Sequence, residues 1–229
     1  MKKLSTLVLA VSGAMFSMVT AAEGFSGAYL GIYGGKAYTT DKGKEYYDGD
    51  FTGWSQETKP KQLQYGLLGG YNWDIGNNIV LGLEADYEGR DNNDDRSYQK
   101  DKGVIDTNYA GSTRIKAAGS LRGRAGYVFN NPYNMKSPIM VYVTAGYAAA
   151  EVQRKYYDSW GQSTASTDWQ DGWTAGAGVE YLINENFAAR IEYRHSDYGT
   201  QNGIESPWSS TMKQDMTENA VRLGASYQF

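Results

Sequence analysis

The chain contains one histidine, His195, and Ser196 and Asp197 follow it directly. A serine, an imidazole and a carboxylate are the parts of a hydrolytic nucleophile, able to cleave or transfer an acyl group. Adjacent residues of an extended strand point to opposite faces, so His195 and Ser196 cannot bond one another in regular β geometry. A lone histidine near a strand end can also contact a heme iron with help from a nearby tyrosine. The plainer role, an interface residue, needs no partner and is the expectation. The acidic, Asn-rich run DNNDDR (91–96) has the look of a calcium site but lacks the glycine and terminal glutamate of an EF-hand loop. No catalytic residue, no cofactor and no metal is therefore expected.

A second set of residues carries a different chemistry. Glu84, Asp86 and Glu88 alternate along one stretch, Arg122 and Arg124 along another, and Arg190, Glu192 and Arg194 along a third. Glu180 and Arg222 complete the set, giving five acids and five arginines. Every second place is one face of a strand. None of the 13 lysines of the chain falls on that face. The planar guanidinium grips a carboxylate two-pronged, which suits charges confined at close quarters. These ten residues are expected to form an enclosed, nearly neutral ion-pair network.

Eight segments of period two must position them: 27–35, 63–73, 79–87, 119–129, 139–148, 173–182, 187–195 and 221–229. Short connections, 74–78, 130–138 and about 184–186, alternate with long polar gaps at 36–62, 88–118, 149–172 and 196–220. Short turns at one end and long loops at the other predict an all-β, eight-stranded, antiparallel up-and-down transmembrane β-barrel. The ionic face then points into the lumen and the apolar face meets lipid.

That lipid face should carry an aromatic girdle at each membrane interface. Tyr71, Trp73, Tyr127, Phe129, Tyr181, Phe187, Tyr227 and Phe229 fall at the short-turn end, and Tyr87, Tyr147, Trp173 and Tyr193 at the other. The last residues, VRLGASYQF, keep strict alternation to Phe229. A closed barrel must pair its last strand with its first, so this terminus is expected to be held. In an eight-stranded barrel side chains fill the interior, so large conductance is not expected.

Composition agrees. The start MKKLSTLVLAVSGAMFSMVTAA reads as a signal peptide over 1–21, cleaved after Ala21 or Ala22, with the barrel domain following over 22–229. Loss of Lys2 and Lys3 moves the formal charge from −4 to −6, which disfavours nucleic acid as a partner. There is no cysteine, so disulfides contribute nothing. The long gaps hold Tyr46, Tyr47, Trp54, Tyr98, Tyr109, Tyr156, Tyr157, Trp160, Trp169 and Trp208, aromatics suited to recognition surfaces.

The stretches GFSGAYLGIYGG, YGLLGGYNW, LGLEADY, SLRGRAGYVF, AGAGVEYLINENFAARIEYRHSDYG and the C-terminal ASYQF resemble small outer-membrane barrel surface antigens of alphaproteobacteria, the OmpA-like and opacity-like kind often labelled porin-family or hemin-binding. The resemblance implies a cell outer membrane location, lipid and lipopolysaccharide neighbours, and surface or host contacts through four extracellular loops. It also implies that Tyr227 and Phe229 serve as a C-terminal signal for the assembly machinery. The alternatives it leaves are hemin or small-solute uptake, with His195 as the heme contact, and last a lipid hydrolase. Where such relatives usually carry an aromatic, this chain has His195.

Overall fold

A computed structural model describes residues 24–130, 137–205 and 210–229; the expected signal peptide lies outside them. Ten strands form: β1 Gly27–Tyr47, β2 Asp50–Thr58, β3 Lys61–Asp74, β4 Ile79–Arg90, β5 Asp95–Asp101, β6 Val104–Phe129, β7 Ile139–Asp158, β8 Ser163–Leu182, β9 Phe187–Glu205 and β10 Thr211–Gln228. All pairings are antiparallel. Each of the eight expected segments lies within one of these strands, apart from Phe229 just past the end of β10.

Ten strands make a ring of eight because β3 and β4 hand over to β2 and β5 partway up the wall. In the lower half β1 pairs with β3, β3 with β4 and β4 with β6. In the upper half β1 pairs with β2, β2 with β5 through Trp54↔Asp101 and Ser55↔Lys100, and β5 with β6. Pro60, which has no N–H for a ladder, marks the join of β2 and β3, and its carbonyl accepts a bond from Thr39 N at 3.0 Å. The ring closes between β1 and β10, from Tyr29↔Gln228 to Tyr46↔Thr211. Phe229 N donates to Ala28 O at 2.9 Å, so the last residue is held.

The four gaps expected to be long loops are mostly strand. Asp48 (φ 48°) and Gly49 (φ 91°) turn the β1–β2 hairpin in two residues, and Lys102 (φ 47°) with Gly103 (φ 89°) turns β5–β6. Positive φ at both central positions is the two-residue turn whose twist matches that of the strands. β7 alone runs for 20 residues, roughly 66 Å of strand and about 50 Å of height at a tilt near 40°, against an apolar band of roughly 25 Å. About half of the wall therefore stands clear of the bilayer. The hydropathy period fades there because water on the outside and a polar lumen on the inside ask for polar residues on both faces.

The two faces of the lower wall are opposite in character. Leu30, Ile32, Leu67, Leu83, Leu121, Val143, Ile191 and Leu223 point outward, with Leu30 57% and Leu223 63% exposed. A contiguous apolar surface of this kind is foreign to a water-soluble monomer, and lipid is its natural solvent. The expected girdle residues also point outward. At the short-turn end Tyr127, Phe129, Phe187, Tyr227 and Phe229 meet edge to face at 4.9–5.2 Å. At the opposite boundary Tyr87, Tyr147, Trp173 and Tyr193 are exposed, joined by Tyr38 and Tyr65.

Candidate functional site: a closed ionic lumen

The lumen is where this sequence concentrates its chemistry. Strand parity points Glu84, Asp86 and Glu88 inward from β4, Arg122 and Arg124 from β6, Glu180 from β8, Arg190, Glu192 and Arg194 from β9, and Arg222 from β10, all buried. The structure brings all ten together. Some pairs sit opposite each other in the ladder, as Glu84↔Arg122 and Glu180↔Arg190 do. Others reach across the lumen.

Glu84 is the hub. One oxygen accepts from Arg190 Nη1 at 2.5 Å and from the Tyr29 hydroxyl at 2.8 Å, while the other accepts from Arg122. Arg122 also donates to Glu192 at 2.8 Å and Thr144 Oγ1 at 3.2 Å, and approaches Asp86 at 3.0 Å. Arg194 spans both oxygens of Asp86 at 3.2 Å each, and Ser120 Oγ donates to the same carboxylate at 2.5 Å. Arg124 bonds Glu180, and Arg222 bonds Glu88. A tyrosine layer braces the arginines: Arg124 lies 3.9 Å over the Tyr142 ring and Arg222 4.5 Å over Tyr33, at cation–π distance. Tyr33 and Tyr142 in turn donate to Glu88 at 2.8 Å and Glu192 at 3.1 Å.

The network extends beyond the ten. Arg90 bonds Glu88 and grips Glu218 at 2.5 and 2.8 Å, and Arg154 grips Asp41 at 2.8 and 3.1 Å. These four sit in stretches read as loops, yet their parity with Glu88, Ala148 and Arg222 continues the inward face unbroken. Among the described residues seven arginines and eight acids are buried, and no lysine is. So close a balance lets the buried charges pair with opposite ones, while Glu45 accepts from the Thr52 hydroxyl at 3.1 Å and from Ser210 Oγ.

Apolar clusters fill the lumen beside this network. Phe25, Val80, Val128, Met140 and Leu182 pack below it, while Ile115, Ala148, Val152, Tyr198 and Met216 pack among its upper pairs, Arg154 lying 4.0 Å from the Met216 sulfur. Between Glu84, Arg122, Arg190 and Arg222 a void of only about 10 Å³ remains, room for about one water.

Glycines make room for the aromatic braces. A Cβ on Gly178 would lie 2.5 Å from the Tyr142 hydroxyl and 2.6 Å from Ile191 O. Gly178→Val should therefore lower the unfolding free energy by about 1–3 kcal/mol in urea titration of the refolded barrel. Gly123→Ala is the control: its new methyl would point outward, with the nearest atom 3.8 Å away, and its midpoint should match the parent's.

The remaining candidates lie apart from the lumen. His195 faces outward, its ring 5.5 Å from Trp173 and its Nδ1 2.9 Å from Asn219 Oδ1. Ser196 faces the lumen and donates to Thr174 Oγ1 at 2.9 Å. The wall separates them, so they form no relay. The acidic run 91–96 spans the break between β4 and β5, and the described residues include no cluster of three or more metal-ligating side chains. Of the loop aromatics, Tyr156 is a correction: it is buried in the upper lumen, where Gln214 Nε2 donates to its hydroxyl at 2.5 Å. Trp208 lies outside the described residues.

A closed antiparallel ring with an apolar exterior, aromatic girdles and an ionic interior defines an outer-membrane β-barrel. The family model for the outer membrane protein beta-barrel domain matches residues 7–229, and the chain belongs to that family. It is 29% identical over 210 residues to a 31 kDa outer-membrane immunogenic protein of Brucella melitensis, covering 90% of this chain and 82% of the relative. A 22 kDa outer membrane protein of Rhizobium leguminosarum is 33% identical over 210 residues, 89% of this chain and 80% of the relative. Among solved structures, the outer membrane protein OprG of Pseudomonas aeruginosa superposes with a TM-score of 0.52 at 16% identity, over 90% of this chain and 98% of its own, which speaks to the fold alone. The chain is thus an outer-membrane β-barrel protein of a family that includes alphaproteobacterial immunogenic proteins.

Proposed function

We propose that this protein is a structural, surface-exposed component of the outer membrane whose barrel is closed to solutes and which performs no catalysis. The observation that carries this reading is the filled lumen: interlocked charged side chains leave a void of only about 10 Å³ between Glu84, Arg122, Arg190 and Arg222. Pure protein in planar bilayers should accordingly give no reproducible large open-channel steps. Steady nanosiemens conductance would overturn the reading.

The function then lies on the outside and at the outer rim. Trp54, Tyr109 and Trp160 cluster at the top of the barrel with ring centroids 5.1 and 5.9 Å apart, and Trp160 is 69% exposed. Aromatic anchors of this kind suit contact with host or surface ligands. Tyr227 and Phe229 serve as the terminal signal for the assembly machinery. Hemin uptake through His195 gains no support from an imidazole that faces the membrane interface and bonds Asn219. His195→Ala should leave hemin retention by the refolded protein within twofold of the parent by absorbance titration.

A further inference from the structure

The outward face above the upper girdle is not uniformly charged. On β10, β1 and β5 three lysines occupy one cross-strand row: Lys213 pairs with Lys44, Lys44 with Ser55, and Ser55 with Lys100. Like charges directly opposite on neighbouring strands repel, and Lys213 with Lys44 is such a pair. Two other outward lysines have carboxylate partners, Lys59 with Glu57 at 3.3 Å and Lys116 with Glu151 at 3.2 Å. Among the described residues no carboxylate lies within 4.0 Å of Lys44, Lys100 or Lys213. The small Ser55 between Lys44 and Lys100 leaves a groove of about 200 Å³, which Lys42 and Glu57 also line. Lys213 Nζ sits 4.1 Å over the Tyr46 ring, which gives the row an aromatic floor at its β10 end. On the opposite flank the outward positions include Asp171 and Asp197 instead.

We infer that this lysine row is a docking site for the anionic core sugars of lipopolysaccharide, which deepens the reading of the chain as an outer-membrane barrel. Three features select that occupant. The charge is complementary to phosphate or carboxylate groups: the three lysines stand in one row, and the nearest outward carboxylates, Glu57 and Asp215, lie opposite Lys42 one step along the strands. The depth fits: from Tyr38 at the girdle to Lys44 is six residues, roughly 20 Å of strand and about 15 Å of height. That is the level of head-group sugars rather than acyl chains. The direction fits too, because these side chains radiate sideways from the wall, toward the neighbouring lipid of the same leaflet. Lys44 and Lys100 are two strands apart, about 10 Å, a separation that two charged sugars of one core can span.

The test uses the refolded mature chain in phosphatidylcholine nanodiscs, titrated with fluorescent rough lipopolysaccharide that carries a phosphorylated inner core. The triple variant K44Q/K100Q/K213Q should bind at least about tenfold more weakly, since each basic residue near an anionic surface adds to affinity. The single variant K44E should also weaken binding, and K116Q, whose lysine already has a partner, should not. Parent-like binding by both K44E and the triple variant would overturn the inference. Equal affinity for lipid A lacking core sugars would overturn the assignment to the core, and stronger binding of heparin than of rough lipopolysaccharide would make a sulfated glycan the occupant. Heat-modifiable gel migration of every variant reports the barrel fold separately, and bilayer conductance reports the closed lumen, so neither conclusion stands or falls with this site.

Discussion

Glu84→Ala is expected to lower the unfolding free energy by about 3–5 kcal/mol, the typical cost of leaving a buried ionic partner uncompensated. Glu84 neutralises Arg122 and Arg190 at once and accepts the Tyr29 hydroxyl, all at the centre of the filled lumen. Arg122→Ala should cost a similar amount, because three carboxylates, Glu84, Asp86 and Glu192, lie within its reach. The double variant should cost clearly less than the sum of the two singles, as groups in one network do not act independently. Lys155→Ala, on the outward face above the membrane, should change stability by no more than about 0.5 kcal/mol. Urea midpoints of the refolded proteins check all four. Equal midpoints for Glu84→Ala and Lys155→Ala would mean that the lumen charges do not hold the barrel.

Deleting Tyr227–Phe229 is expected to have the other large effect. It removes the ladder pairs Tyr29↔Gln228 and Leu30↔Tyr227, together with the bonds from Gln228 N to Asn186 O at 2.7 Å and from Phe229 N to Ala28 O at 2.9 Å. Backbone groups opened within or beside hydrocarbon cost several kcal/mol each, so closure fails at the seam. The amount of heat-modifiable protein in outer-membrane fractions should fall at least about tenfold. Phe229→Ser separates two contributions, since it keeps the backbone bonds and loses only the aromatic ring. If the ring is read during assembly, this variant should be depleted from the outer membrane while its urea midpoint after refolding stays close to the parent's. Normal outer-membrane levels of the truncated chain would show that neither the seam nor the signal depends on these residues.

The wall within the membrane was legible because lipid outside and ions inside force apolar and polar residues to alternate. VRLGASYQF follows that rule without exception and IVLGLEADY breaks it only at Val80, which joins the apolar cluster in the lower lumen, so strand, face and charge could all be read at once. Above the bilayer the same strands continue, but Lys42, Lys44, Gln153 and Lys155 face water while Asp41, Arg154 and Gln170 face the lumen. Polar residues on both faces erase the period, and the stretches read as loops. The dipeptides Asp48-Gly49 and Lys102-Gly103 were the overlooked clue. Asp-Gly is a common pair for a two-residue turn with positive φ, Gly103 supplies the second such position after Lys102, and a tight hairpin needs strands on both sides. Arg90, Asp41, Arg154 and Glu218 were missed for the same reason, although inward parity carried through to each.

Individual ion pairs were not legible. Glu84 meets Arg122 through strand register and Arg190 across the lumen, and register across a closed sheet depends on the stagger of every strand together. No single stretch contains that information. The handover from β3 and β4 to β2 and β5 was hidden likewise, because it depends on Pro60 and on the break at 91–94 acting on neighbouring strands at one height.

Single nitroxide labels on introduced cysteines test the orientation of the wall most directly, since the chain has no cysteine of its own. Labels at Leu30, Leu83 and Leu223 in liposomes should be relaxed strongly by oxygen and hardly at all by a water-soluble nickel chelate. A label at Lys155 should show the reverse. If the chelate reached Leu30, Leu83 and Leu223 as freely as Lys155, the apolar face would not lie in lipid and the ionic residues would not line a closed lumen.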